Sequence, residues 1–485
     1  MTSAAQTISH REELFIDGRW VAPSSPKRLN PVNPATEEVI TSVAEATESD
    51  MDKAVDAARR AFDEGPWPRL SHVERGEYVM KLAQLLEQRT PQLAALWTEQ
   101  MGGLASFAPI MAGGATFQLK YFAGLAATYP FETRQPSSLG QGTAIIIREP
   151  VGVVAAIAPW NAPYGIMAQK IGPALVAGCT IIMKPSPETP LEAYVIAECA
   201  QQAGFPTGVI NLVPANREAS DHLVRNPDVD KVSFTGSTVA GRRIGQVCAD
   251  RVARVTLELG GKSAAIVLDD FPVEQAAQAL TGSICIMSGQ VCATLSRVIV
   301  PRAKQKAFSE AFAEAMRGIR VGDPNDPSSQ MGPLAMERQL HRVQSYIEKG
   351  TQQGARLVTG GNRPSHLRRG YYFEPTLFAD VDNRSTIAQE EIFGPVISMI
   401  PSDDMDDAVR IANDSIYGLN GAVFTKDADA AYRVGRRLRT GSIGQNGLKL
   451  DFAIPYGGFK QSGIGREGGP ENFHAYTETK TVLLD

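Results

Sequence analysis

From Val151 onward the chain alternates short apolar runs with segments of helical spacing, and this alternation restricts the fold more than any other feature of the sequence. "VGVVAAIAPW" and "TIIMKPS" are typical of buried strands, and helical patterns follow them in "GIMAQKIGPALVAG" and "TPLEAYVIAECAQQAG". The succession continues through "VINLVP" and "VDKVSFTGS" into the helix "TVAGRRIGQVCADR". It predicts an α/β fold with a doubly wound parallel sheet, in which ligands bind at the carboxyl ends of the strands.

A second α/β stretch begins near "VTLELGGKSAAIVLDD" and runs to about Gly465. A chain of 485 residues is too long for one core, and its length favours about three domains. Two extended pieces, the hairpin-like 129–148 and the tail "AYTETKTVLLD", have no obvious sheet to join. We therefore expect them to pair with another subunit in a homo-dimer or homo-tetramer.

Composition argues against several classes of function. With a net charge of -5 and no basic run among aromatic residues, a nucleic-acid partner is not expected. The apolar runs are too short to span a bilayer, and the N-terminus lacks the apolar part of a signal peptide. The five cysteines form no C-x-x-C pair and the six histidines no H-x-x-x-H pair, so we expect neither a disulfide framework nor a metal. A cytoplasmic location, where thiols stay reduced, is the expectation.

Two predicted strand ends carry residues suited to a nucleotide, although each has a plainer interpretation. Gly236 and Ser237 separate a strand from a helix, whose first N–H groups and positive dipole end favour a phosphate. Such turns also occur without a ligand. Lys184 ends the strand "TIIMK", where its ammonium group either reaches over the edge of the sheet or is simply solvated.

Three more residues have chemistry that their neighbours make unusual. Asn161 lies in "PWNAP", whose prolines stiffen the backbone, so its amide is either a fixed donor or an ordinary turn residue. Glu258 lies between two leucines in "LELGG", where desolvation would raise its pKa and suit it to accept protons near neutral pH. Cys292 lies in "SGQVCATLSR", a stretch that does not by itself distinguish a nucleophile from a buried hydrophobic residue.

In their order and spacing, "PWN", "LELGGKS", "GQVC" and "EEIFGP" resemble the aldehyde dehydrogenase superfamily, the NAD(P)-dependent enzymes that oxidise aldehydes to acids. The resemblance extends from "LFIDGRWV" to "AYTETKTV". It implies that Cys292 is the nucleophile that forms a thiohemiacetal and then a thioester. It implies that Asn161 and the Cys292 N–H bind the oxyanion, and that Glu258 activates the hydrolytic water. Cys292 is expected on a helix, with Cys285 two helical turns before it as a packing residue.

The resemblance also implies a cofactor site. Lys184 and Glu391 would bind ribose hydroxyls, Gly236 and Ser237 would approach the pyrophosphate, and Phe393 would pack beside the nicotinamide ribose. Trp160 is expected at the same site.

The chain departs from the family pattern at two positions. Pro187 replaces the glutamate of K-P-x-E, with Glu188 one residue later, so NAD is expected and NADP stays an alternative. Ala162 replaces a phenylalanine, which should widen the substrate funnel.

The expected substrate is a bulky apolar aldehyde, aromatic or terpenoid-like, because the positions that line the funnel in the family are apolar here: Ile166, Ile286, Val291, Phe452 and Tyr456. A semialdehyde substrate, a non-redox cysteine hydrolase and a binding protein without activity are the alternatives.

The resemblance and the pattern together predict three parts. These are a dinucleotide-binding domain (1–128 and 149–258), a catalytic domain (259–465) and a small β oligomerisation element (129–148 and 466–485).

Overall fold

The computed structural model describes residues 4–485. Its helices are α1 (Glu48–Asp63), α2 (His72–Gln88), α3 (Thr90–Met101), α4 (Ala108–Leu125), α5 (Pro163–Ala177), α6 (Leu191–Ala203), α7 (Arg217–Arg225), α8 (Thr238–Asp250), α9 (Val273–Cys285), α10 (Gln305–Arg317), α11 (Glu337–Gln352), α12 (Thr386–Gln389), α13 (Met405–Asn413) and α14 (Ala428–Gly435). Among the described residues, no helix is both long enough and apolar enough to cross a membrane.

The strands are distributed over the whole chain. They are β1 (Leu14–Ile16), β2 (Arg19–Val21), β3 (Arg28–Leu29), β4 (Val32–Asn33), β5 (Glu38–Val39), β6 (Val43–Ala44), β7 (Glu132–Pro136), β8 (Thr143–Pro150), β9 (Val153–Ile157), β10 (Thr180–Lys184), β11 (Ile210–Leu212), β12 (Lys231–Thr235), β13 (Arg254–Glu258), β14 (Ala264–Val267), β15 (Arg297–Pro301), β16 (Arg356–Thr359), β17 (Thr376–Ala379), β18 (Val396–Ser402), β19 (Asn420–Phe424), β20 (Ser442–Gln445), β21 (Gly463–Ile464) and β22 (Thr477–Leu484).

The first sheet has the order β2-β1-β11-β10-β9-β12-β13-β21, with five parallel strands from β11 to β13. Every residue of β9, β10 and β12 is buried, as expected for strands covered on both faces. Val154 and Ala156 pack into a core with α2, α5 and α6, while Val153, Ala155 and Ile157 pack into a core with α1, α7 and α8. This two-sided packing confirms the predicted doubly wound sheet.

The second sheet has the order β16-β17-β18-β15-β14-β19-β20, and only β16 runs antiparallel to its neighbour. Alternate residues of its central strand again face two cores. Ala264 and Ile266 pack with α11, α13 and α14, whereas Ala265 and Val267 pack with α9 and α10. The predicted second α/β body is therefore confirmed.

The two extended pieces pair with each other, which corrects the expectation that they have no sheet within the chain. β8 pairs antiparallel with β22 from Thr143↔Leu484 to Pro150↔Thr477, and β7 pairs along the other side of β8. All five residues of β7 are exposed, so this three-stranded sheet has an open edge. Pairing of that edge with another subunit stays a prediction.

The domain boundaries expected from the sequence are retained as a proposal. One strand pairs with a strand of the other proposed domain: β21 lies within 259–465 but pairs with β13 in the first sheet.

Candidate active site

Four parallel strands of the first sheet end at a common edge, and a predicted site residue lies at or just beyond each end. The register pairs Lys184 of β10 with Ile157 of β9, and Thr235 of β12 with Glu258 of β13. Asn161 follows β9 by four residues. The topology thus brings residues that are far apart in sequence to the carboxyl edge where doubly wound sheets bind ligands.

Helix α8 begins at this edge. Gly236 and Ser237 separate β12 from α8, and the Ser237 hydroxyl caps the helix by accepting a hydrogen bond from the Ala240 N–H at 3.3 Å. The remaining first-turn N–H groups and the positive end of the helix dipole face outward from the strand end, a geometry that suits an anion.

The segment before Cys292 is not helical, so the predicted helical placement of Cys292 is wrong. Helix α9 ends at Cys285, and the backbone then enters the left-handed region at Met287 (φ 51°), Ser288 (φ 56°) and Gly289 (φ 74°). Two consecutive non-glycine residues in this region are strained and need support from their surroundings. The Ser288 hydroxyl provides part of it by donating to the carbonyl of Gly332 at 2.8 Å.

Gly289 allows this loop to meet the "IFGP" segment. A Cβ atom on Gly289 would overlap the backbone carbonyl of Gly394, so only glycine fits the close approach. Gly261 plays a similar part, because a Cβ atom there would lie 2.5 Å from the carbonyl oxygen of Cys292. The three motifs "LELGGKS", "GQVC" and "EEIFGP" therefore converge through backbone contacts.

Gln290 fixes the loop from within, a role that the sequence did not reveal. Its fully buried side chain accepts a hydrogen bond from the Ala335 N–H and donates one to the Met287 carbonyl, both at 2.9 Å. Its backbone carbonyl accepts a hydrogen bond from the Asn161 side-chain amide at 2.9 Å.

Asn161 is held at two points. Its backbone carbonyl accepts a hydrogen bond from the Trp97 indole at 3.0 Å. One N–H of its side-chain amide donates to the backbone carbonyl of Gln290. A second amide N–H remains, and the backbone N–H of Cys292 has no hydrogen-bond acceptor within 4–485. Two fixed, available donors are what stabilisation of an oxyanion requires.

The Cys292 thiol is in an environment that disfavours its charged form. Burial is the main cause that raises its pKa to about 12, and the charges of Glu391 and Glu258 raise it further. A hydrogen bond with Tyr456 acts in the opposite direction. The resting thiol is therefore protonated at neutral pH, and its attack on a carbonyl requires a base.

Glu258 has the raised pKa that its apolar sequence context predicts. Burial is the first cause and the charge of Glu467 the second, while Lys170 and Arg466 lower the pKa. Neither carboxylate oxygen accepts a hydrogen bond from the described part of the chain. The backbone of Gly457 approaches so closely that a Cβ atom there would lie 2.5 Å from the carboxylate.

A buried ion pair behind Glu258 was not predicted. Lys170 on α5 donates to Glu467 at 2.7 Å and to the Thr235 hydroxyl at 2.8 Å, and both charged side chains are almost fully buried. The only sequence signal is a single lysine in the otherwise apolar "GIMAQKIGPALVAG".

Glu391 lies over the glycine pair of "LELGG". Its Oε1 accepts a hydrogen bond from the Gly261 N–H at 3.0 Å, and a Cβ atom on Gly260 would overlap the other carboxylate oxygen. Burial raises the pKa of Glu391 to about 7, although the Gly261 N–H, Arg342 and Lys262 oppose this.

One cavity of about 410 Å³ joins the nucleophile to the start of α8. Its walls contain seven of the nine predicted site residues: Trp160, Asn161, Gly236, Ser237, Cys292, Glu391 and Phe393. Within it the rings of Trp160 and Phe393 meet edge-on, with centroids 5.2 Å apart. Lys184 and Glu258 do not line this cavity.

Lys184 and Glu188 lie side by side at the end of β10. Burial lowers the pKa of Lys184 to about 8, and the charge of Glu188 opposes that shift. Glu188 accepts hydrogen bonds from Ser186 and from Arg338, and Arg338 also lines the cavity. The Glu188–Arg338 pair was not predicted.

Comparison with known proteins agrees with this geometry. The model of the aldehyde dehydrogenase family matches residues 20–482. The chain belongs to the aldehyde dehydrogenase family. This finding confirms the resemblance and the enzyme class that were predicted from the motifs.

Individual relatives cover nearly the whole chain. A geranial dehydrogenase from Castellaniella defragrans is 46% identical over 99% of both chains. A 3-succinoylsemialdehyde-pyridine dehydrogenase from a Pseudomonas species is 41% identical over 97% of this chain and 98% of its own length. The structure of a Mycobacterium tuberculosis aldehyde dehydrogenase in complex with NAD+ superimposes with a TM-score of 0.96, 42% identity and 99% coverage of both chains.

Proposed function

We propose that the protein oxidises a bulky apolar aldehyde to its carboxylic acid with NAD+, through a thioester on Cys292. The observation that carries the proposal is the single cavity in which Cys292 and Asn161 share walls with Gly236 and Ser237 at the start of α8. A nucleophile, oxyanion donors and an anion-binding helix start in one space suit a reaction between an aldehyde and a dinucleotide.

The chain's own residues supply acid–base and nucleophilic chemistry. Glu258, whose pKa is raised by burial, takes the Cys292 proton, and the thiolate attacks the carbonyl carbon. The second amide N–H of Asn161 and the Cys292 N–H hold the oxyanion. Glu258 then releases the thiol proton to solvent. After oxidation it takes a proton from water, whose oxygen attacks the thioester carbonyl; the C–S bond breaks, the acid leaves, and the Cys292 thiolate takes back the proton from Glu258.

The residues present fit a dinucleotide cofactor. The first turn of α8 would hold the pyrophosphate, Lys184 and Glu391 the ribose hydroxyls, and Trp160 and Phe393 the nicotinamide end. When bound, NAD+ accepts the hydride. The relative from M. tuberculosis was solved as an NAD+ complex, which supports this choice.

Apolar side chains in the cavity and beside Cys292 support an apolar substrate. Ile166 lines the cavity, and Phe452 packs edge-on against Tyr456, which contacts Cys292. The geranial dehydrogenase relative points to the same class of substrate.

A semialdehyde is the second candidate, because a relative of 41% identity is a 3-succinoylsemialdehyde-pyridine dehydrogenase. The cavity bears most directly on a semialdehyde that also has a free carboxylate. Such a substrate needs a cation for its carboxylate. Arg338 and Arg342 line the cavity, but their hydrogen bonds go to Glu188 and to the carbonyls of Glu391 and Ile392. Because both arginines already bind other groups of the protein, neither is free to pair with a substrate carboxylate, and this favours the apolar substrate.

A panel of aldehydes tests the proposal. With purified protein and NAD+, we expect kcat/KM for geranial or benzaldehyde to exceed that for succinic semialdehyde by about tenfold or more. Cys292→Ala is the control and should give no NADH with any aldehyde. A preference for succinic semialdehyde would overturn the apolar substrate, and ester hydrolysis without NADH formation would indicate a cysteine hydrolase.

The open edge of β7 also leads us to propose a homo-dimer or homo-tetramer, which sedimentation analysis tests. A cytoplasmic location stays a prediction.

A further inference from the structure

Tyr456 lies in the segment between β20 and a short 3-10 helix at Lys460–Ser462, and its position is fixed from both sides. Its N–H donates to the Glu467 carbonyl at 2.6 Å, and its carbonyl accepts from the Glu467 N–H at 2.7 Å. Its ring meets that of Phe452 edge-on at 6.2 Å, and 9% of the residue is exposed. The backbone and the ring of Tyr456 are therefore held in place beside Cys292.

The Tyr456 hydroxyl oxygen is 3.6 Å from the Cys292 sulfur. It makes no other hydrogen bond to the residues in 4–485. A neutral thiol and a phenol can each donate to the other, but a thiolate carries no proton and can only accept. Once Cys292 is charged, the hydroxyl of Tyr456 must be the donor.

The other ionisable groups facing the sulfur do not stabilise its charge. Glu258 at the end of β13 and Glu391 after α12 are both acidic, and each raises the pKa of Cys292. Tyr456 is therefore the side chain that favours the thiolate. Burial raises the pKa of Tyr456 well above its usual value, so its hydroxyl keeps the proton that it needs to donate.

We propose that Tyr456 is a catalytic residue whose hydroxyl donates a hydrogen bond to the Cys292 thiolate, stabilising the attacking form and holding the sulfur in one orientation. The thiol proton leaves to Glu258, while Tyr456 keeps its own proton and undergoes no net change. The role in turnover rests on the proposed function, whereas the contact with the sulfur does not.

Tyr456→Phe tests the proposal, since it removes the hydroxyl and keeps the ring. We would measure iodoacetamide alkylation of Cys292 by peptide mass spectrometry, across neutral and alkaline pH, without aldehyde or cofactor. Loss of one hydrogen bond to a charged group should reduce the thiolate fraction by roughly 10- to 100-fold. The more basic thiolate is also more nucleophilic, so the alkylation rate should fall by about 3- to 10-fold.

Tyr194→Phe is the matched control. It also removes a buried hydroxyl, which donates to the Glu13 carbonyl at 3.1 Å, away from Cys292. We expect it to alkylate at the wild-type rate. A wild-type rate in Tyr456→Phe, or equal slowing in both variants, would overturn the proposal. If the wild type oxidises no aldehyde, the proposed function fails, and the alkylation rates still decide whether Tyr456 supports the thiolate.

Discussion

The ion pair of Lys170 and Glu467 should set the pH dependence of hydrolysis, and its two members should act in opposite directions. Glu467 raises the pKa of Glu258 and Lys170 lowers it. Because Glu258 is proposed to act as a base, the rate of thioester hydrolysis should rise with pH through its pKa. Glu467→Gln should therefore move this rise to lower pH, and Lys170→Met should move it to higher pH.

The size of both pH displacements depends on burial, because water screens charges less in the interior of the protein. Two unit charges about 8 Å apart interact by about 2 kcal/mol at the effective dielectric constant of a protein interior, which corresponds to about one to two pH units. Lys170→Met should also lower stability by about 3–5 kcal/mol, since it leaves the buried Glu467 carboxylate without its cation.

The assay is the steady-state rate as a function of pH, under conditions where hydrolysis limits turnover. Lys231→Met is the matched control, because Lys231 is also a buried lysine; it lies on β12, bonds to Thr256 and is not among the groups that shift the pKa of Glu258. Displacement of both variants in the same direction, or an equal displacement in Lys231→Met, would refute the reasoning.

Three further predictions concern single features. Gly289→Ala should lower activity by more than about tenfold, because the new Cβ overlaps a carbonyl at a left-handed position; Gly113→Ala on α4, where nothing lies within 4 Å, should leave kinetics unchanged. Comparison of kcat/KM for the two cofactors should favour NAD over NADP by about 5- to 150-fold, since Pro187 replaces an acidic residue; a ratio above about a thousandfold would mean that Glu188 discriminates against the 2′-phosphate. Iodoacetamide should label Cys292 ahead of the other four thiols, which are buried more deeply; preferential labelling elsewhere, mapped by mass spectrometry, would contradict its assignment as the nucleophile.

The hydrophobic pattern of the sequence was sufficient to predict the two sheets, but not the conformation of the loop that contains Cys292. Every residue of β9, β10 and β12 is buried, and β9 is hydrophobic at every position, which only a strand covered on both faces accommodates. The helix predicted through Cys292 fails because left-handed backbone at Met287 and Ser288 depends on contacts with segments far away in sequence.

Long-range pairing explains the other differences. Nothing within β8 or β22 alone indicates that they are partners, because 326 residues separate their facing ends at Pro150 and Thr477, positions 150 and 477 of the chain. The Lys170–Glu467 pair is similar: each residue is unremarkable in its own segment, and only the fold joins them.

Glu258→Gln tests the central claim that a thioester on Cys292 is hydrolysed with the help of Glu258. The substitution keeps the shape of the side chain but removes the base, so hydrolysis should slow by about 10²- to 10⁴-fold. Mixed with aldehyde and NAD+, the variant should release about one equivalent of NADH per active site and then nearly stop. Intact-mass and peptide spectra should locate the acyl group on Cys292. Normal turnover in Glu258→Gln, or an acyl group on any other residue, would contradict the account.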